Sequence, residues 1–232
     1  RKAVADHVFP TPTATGWQCA VLDLHNGGLG RVAPAPHRLL VRVLRDLESD
    51  FPLRLATLDG GTARNALPRE ARATIALPAG RTDALAARLA TWQSLLRQEL
   101  KGVDEGIALS VSPATADSVL SNADQALWLA SLHAAPHGIR RWSRDVPGVV
   151  ESSNNIGIVR ISPAGGHCNF MVRSLRDSGS AALADEIVSL FALSGTPAER
   201  SGHYPGWTPD PDSKLLARCR AVYRREFGGE ST

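Results

Sequence analysis

The sequence predicts an α+β fold, an antiparallel sheet with helices on one face. Three observations carry that prediction. Apolar residues recur at helical spacing in some segments and alternate in others. Over residues 17–111 these segments follow the order β-α-β-β-α-β, a split-βαβ, ferredoxin-like pattern. The following stretch, residues 112–203, repeats the pattern loosely without matching it in sequence.

Residues 1–16 are rich in Pro and Thr and read as a lead-in segment. Residues 17–24 (WQCAVLDL) read as a strand, and the Gly/Pro-rich NGGLGRVAPAP after them as a loop. In HRLLVRVLRDLE, Leu40, Val43, Leu44 and Leu47 fall on one helical face opposite arginines. Residues 53–58 alternate as a strand, and residues 70–77 (EARATIAL) form the next. Thr82 or Asp83 can cap a helix over residues 84–101, and residues 107–111 form a short apolar strand.

In the second half, residues 123–132 read as a helix and 137–142 as a strand. Strands are expected at 146–152, 155–162 and 167–174, a helix at 181–193, and an edge strand at 198–203. A Pro/Gly-rich link over residues 204–212 precedes an amphipathic helix at 213–227.

Composition narrows the function classes. The chain has 232 residues, 43% hydrophobic and 21% charged, within the ordinary globular range. No apolar run is long enough for a transmembrane helix, so no membrane partner is expected. Net charge is +3, but the arginines are scattered instead of forming a basic strip with interleaved aromatics, which excludes nucleic acid as the expected partner. Cys19, Cys168 and Cys219 form no CxxC pair, which fits a reducing compartment. The start at Arg1-Lys2, with no Met and no signal segment, is expected of a piece of a longer chain.

No catalytic constellation is complete. HExxH, GxSxG, the P-loop and GxGxxG are all missing. His133 and His137 are four apart, but Pro136 between them breaks a shared helical face. Polar binding groups stand out instead. In DGGTARNALPREA, Gly60 and Gly61 permit a sharp turn and Pro68 stiffens its exit, so Arg64 and Asn65 sit on a shaped loop at a strand end. Arg173 lies in VRSLRDSG, and Asn155 ends the VVESSNN run. A guanidinium forks well onto a carboxylate, and an Asn amide both donates and accepts.

DGGTARNALPREA, AAPHGIRRWSRDVPGVVESSNNIGIV, MVRSLRDSG and GHYPGWTPDPDS resemble, in order and spacing, segments of the cytosolic non-specific dipeptidases, also called aminoacyl-histidine dipeptidases. The likeness runs over about residues 16–229. It implies the lid, or dimerisation, domain over residues 17–203 (halves 17–111 and 112–203). Residues 204–232 would then be a linker and helix of the parent's catalytic domain. The family is cytoplasmic and carries two zinc ions on residues with no counterpart here, so this chain is expected to hold no metal, no catalytic residue and no cofactor of its own. By motif position the resemblance implies that Arg173 binds the carboxylate of a dipeptide substrate and Asn65 orients its backbone, with Asn155 as a further substrate-binding residue. It also implies a homodimer through the lid, or two lid halves that mimic one. One departure stands out. The family's GGHSG segment, source of an oxyanion histidine, has no match in NGGLGRVAPAP, where Arg31 falls near the His position. An oxyanion donor is worth about 10²–10³ in rate. The alternative implied by that loss is a non-catalytic binding or assembly module with the same lid fold.

Overall fold

The computed structural model describes residues 16–26, 35–210 and 212–230. The Pro/Thr lead-in and the loop position of Arg31 lie outside the described residues. In chain order the elements are β1 (Trp17–His25), α1 (Pro36–Asp50), β2 (Arg54–Gly60), β3 (Glu70–Pro78), α2 (Thr82–Glu99) and β4 (Ala108–Ala114). Then follow α3 (Asn122–Ala134), β5 (Gly138–Trp142), β6 (Val150–Ser162), β7 (Gly165–Ser174), α4 (Asp177–Leu193) and α5 (Lys214–Phe227).

The seven strands form one antiparallel sheet in the order β4-β1-β3-β2-β6, with β5 and β7 both paired to β6. Strand alternation gives the sheet two chemically different faces. One face buries Leu22 and Leu24 of β1, Leu55 and Leu58 of β2, Ile75 of β3 and Val159 of β6 against the helices. Helices α1–α4 make a single layer over it. Pro36 starts α1, and its apolar stripe, including Leu40, Val43, Leu44 and Leu47, is fully buried. At Asp46 of α1 the carboxylate accepts from Trp92 Nε1 (2.7 Å) and Arg88 Nη2 (2.7 Å) of α2, which sets the spacing of the two helices. Ser121 caps α3 by accepting from the Asp124 amide.

The opposite face carries polar side chains in register. Asp23, Arg72, Asp59 and Arg160 stand in one cross-strand row over β1, β3, β2 and β6. Arg72 Nε donates to Asp23 Oδ1 at 2.6 Å, and Arg160 Nε stands 3.6 Å from Asp59 Oδ1. Opposite charges facing across strands support this register.

Four expectations change in detail. The strands expected at 146–152 and 155–162 are one strand, β6 (Val150–Ser162), because β5 and β7 pair with it across Ser153 and Asn154 and side chains there find partners. Asn154 Nδ2, for example, donates to the Pro136 carbonyl at 2.6 Å. Residues 198–203 form no strand, since the segment is fixed at its ends and leaves β7 unpaired on its outer edge among the described residues. The Thr82 hydroxyl does not cap α2; it accepts from Gln18 Nε2 of β1. The loose repeat of the second half takes the form of a three-stranded meander, β5-β6-β7, between α3 and α4. Both halves build one sheet through the β2–β6 pairing, Leu58 to Gly60 against Val159 to Ile161.

Candidate functional site

The Asp59–Pro68 loop leaves the end of β2 and crosses β6. Gly61 has φ +70°, and a Cβ there would lie 1.9 Å from the Gly157 carbonyl oxygen. Gly157 answers from below, where a Cβ would lie 2.6 Å from Arg64 Cα. A register shift between Ile156 and Ile158 marks a bulge at that crossing. Both glycines are needed for the close backbone approach.

Two side chains of β6 hold the loop from its open face. Arg160 donates from Nη1 to the Gly60 carbonyl (2.9 Å) and from Nη2 to the Gly61 carbonyl (2.7 Å). Asn155 Nδ2 donates to the carbonyls of Ala66 (2.7 Å) and Arg64 (3.4 Å). Asn65 stands exposed at the loop's outer side, and among the described residues its side chain has no hydrogen-bond partner.

Arg173 lies opposite Ser153 on β7 and is exposed. On the same strand Cys168, Phe170 and Val172 pack against the main core, so alternation puts Arg173 on the helix-free side. Beside β7 runs a cleft of about 630 Å³, walled by α4 and by a strap over residues 196–204. Arg64 and Arg173 both line it; Asn65 and Asn155 do not. The structure therefore joins the first half's loop to the second half's strand through Arg64, the neighbour of the residue expected to do so. The signal was present in the sequence, an arginine in the same shaped loop with the side chain best suited to an anion. Among the described residues neither Arg64 nor Arg173 makes an ion pair, so two guanidinium groups face one cleft unneutralised. The GHYPGW turn closes one end. Gly206 N donates to Asp177 Oδ1 at 2.6 Å, and Thr208 Oγ1 to the Leu175 carbonyl at 3.0 Å.

Behind the loop sit two imidazoles, His37 buried and His137 half-buried. His37 of α1 is fully buried, and a Cβ on Gly60 would lie 2.9 Å from its own Cβ. Neither ring nitrogen has a hydrogen-bond partner among the described residues. Burial, then the charges of His137 and Arg38, lowers its pKa to about 3. His137 Nδ1 accepts from the Ile156 amide at 3.2 Å, and burial, then Arg38, lowers its pKa to about 4. The two rings meet edge to face, 6.5 Å between centroids. Burial also pushes the Cys168 thiol up to about 12, which removes it as a nucleophile at neutral pH. Among the described residues no three His, Cys, Asp or Glu side chains are grouped to hold a metal.

Residues 23–104 match the peptidase dimerisation domain family, M20_dimer. The chain is 37% identical over 205 residues to the cytosol non-specific dipeptidase of Escherichia coli strain K12, covering 88% of this chain and 42% of that protein. It superposes on the crystal structure of aminoacylhistidine dipeptidase from Vibrio alginolyticus with a TM-score of 0.85 and 34% identity, over 97% of this chain and 46% of that one. The chain thus spans less than half the length of these relatives. The split-βαβ unit and its match define a peptidase dimerisation domain. With the second half included, the chain belongs to the cytosol non-specific (aminoacylhistidine) dipeptidase family, as its lid portion.

Proposed function

We propose that this chain is the lid of a zinc-dependent dipeptidase and grips the dipeptide over the metal site of the parent's catalytic domain. The observation that carries the reading is the pairing of Arg64 and Arg173 at one cleft, from two halves of one chain, with no ion-pair partner among the described residues. A free α-carboxylate is the ligand such a pair suits, because charge-assisted bonds to a guanidinium fork are strong and directional. Arg173 binds that carboxylate and Arg64 assists it. Asn65, beside Arg64 on the loop, offers its amide to the substrate backbone. Asn155 serves the substrate indirectly, by holding the loop through its carbonyls.

Zinc would be held by the remainder of the parent enzyme, and when bound there would supply Lewis-acid chemistry toward the scissile carbonyl and a water. The lid alone is inactive. Residues 204–232 pack on the catalytic domain. In support, α5 buries no residue here, while Leu215, Val222, Tyr223 and Phe227 form an exposed apolar stripe along it. A cytoplasmic setting agrees with three free cysteines. A homodimer through the lid uses a surface other than the β2 edge, which β6 already covers.

Calorimetric titration of the chain with a dipeptide, with its carboxyl-terminal amide, and of Arg173→Ala with both tests the clamp. The expected result is at least tenfold weaker binding for the amide and for the variant, since a hydrogen bond to a charged group is worth about 1.5–3 kcal/mol. Equal affinity for acid and amide overturns it.

A further inference from the structure

Two residues of β6 reach the Asp59–Pro68 loop, and the strand's own bulge lets both do so. Asn155 and Arg160 are five positions apart, which in a regular strand puts them on opposite faces. The register against β7 shows the extra residue. Ile156 lies opposite Phe170 and Ile158 opposite Asn169, so Gly157 has no partner of its own. Beyond the bulge Arg160 lies opposite His167, and before it Asn155 lies opposite Met171. Those two β7 positions share one face, the one turned away from Cys168, Phe170 and the helices. The bulge therefore brings Asn155 and Arg160 to the same helix-free side.

From there the two side chains bracket the substrate-gripping residues of the loop. Arg160 takes the loop at its entry, through the carbonyls of Gly60 (2.9 Å) and Gly61 (2.7 Å). Asn155 takes it at its exit, through the carbonyls of Arg64 (3.4 Å) and Ala66 (2.7 Å). Arg64 and Asn65 lie between the Gly61 and Ala66 carbonyls. The loop's own backbone bond, Ala66 N to the Ala63 carbonyl, is long at 3.3 Å. The guanidinium of Arg160 is committed to this hold. Nη1 also donates to the Val159 carbonyl (2.7 Å), and Nε stands 3.6 Å from Asp59 Oδ1. A charged donor bonds a carbonyl more strongly than a neutral one, and the planar fork is what spans two consecutive carbonyls.

We infer that Arg160 is a positioning residue of the dipeptide grip. Through the Gly60 and Gly61 carbonyls it fixes where Arg64 and Asn65 meet the substrate. The inference rests on the grip reading above, in which those two loop residues contact the dipeptide.

The test is a double-mutant cycle in the full-length enzyme carrying this lid, with steady-state kinetics on a free-carboxylate dipeptide. Arg160→Met should raise KM by about tenfold with kcat held within about twofold, the pattern of lost binding. Where Arg64 and Asn65 are already alanine, the same substitution should change KM by less than about twofold, because the groups it positions are gone. A merely structural loss lowers the amount of active enzyme, so kcat falls, and falls equally in both backgrounds. An equal effect of Arg160→Met in both backgrounds, or none in either, overturns the positioning role and leaves the grip standing. An unchanged KM when Arg64 and Asn65 are both replaced by alanine overturns the loop's part in the grip, and the positioning role with it. Arg160→Lys keeps the charge without the fork, and enters the same cycle where Arg160→Met does not fold. It should raise KM by about threefold or more, and wild-type kinetics for it overturn the role of the fork.

Discussion

Gly157 carries more of the site than any charged residue does, because it lets two backbones touch. A Cβ there meets Arg64 Cα and the carbonyls of Ala63 and Arg64 at 2.6–2.7 Å, all backbone atoms that cannot swing aside. Gly157→Ala should cost about 1–3 kcal/mol in urea unfolding, the range of overpacked sites, by lifting the loop off β6. His37 and His137 set a second residue-scale expectation. Both have pKa values below the ordinary 6.5, near 3 and 4. The unfolded chain therefore takes up these protons first. Their contribution is intact above pH 6.5 and is lost as pH falls toward 4. Each group adds a slope of about 1.4 kcal/mol per pH unit across that window. Melting temperature should fall over the same range, and His37→Leu should flatten the profile by about one proton.

At the scale of elements, the residue pattern announces those whose period is strong. The apolar stripe of α1 and the alternation of β1 and β3 are legible in the order of residues alone. β6 was less legible, because the two expected strands, 146–152 and 155–162, left Ser153 and Asn154 as a break. In the folded chain side chains at and beside that break find partners: Ser152 and Ser174 hydroxyls stand 2.8 Å apart, and Asn154 Nδ2 donates to the Pro136 carbonyl. Partners distant in sequence leave no periodic trace. The strap failed as a strand for the opposite reason, since its spacing suits one but its tethers hold it away from β7. The site shows the same division. The motif located the loop and Arg173, while which loop residue faces the cleft depended on how Asn155 and Arg160 hold its carbonyls. α5 gives a direct check at this scale. It buries nothing, whereas α1 buries eight residues. Native-state hydrogen exchange should therefore find the α5 amides far less protected than those of α1.

For the whole molecule, the β2–β6 junction matters most. It joins two halves into one sheet, so the loop after β2 and the strand β7 share a cleft without a second chain. The proposed division of labour follows, with recognition on the lid and metal chemistry elsewhere. The isolated chain should bind no stoichiometric zinc in equilibrium dialysis and release no amino acid from dipeptides; zinc at one equivalent with turnover would contradict that division. The most direct test of the clamp itself is kcat/KM of Arg173→Ala in the full-length enzyme carrying this lid, measured on a free-carboxylate dipeptide and on its amide. The account predicts a loss of about 10–100-fold for the acid, from a charged hydrogen bond worth about 1.5–3 kcal/mol, and little change for the amide. An unchanged kcat/KM for the acid would contradict it.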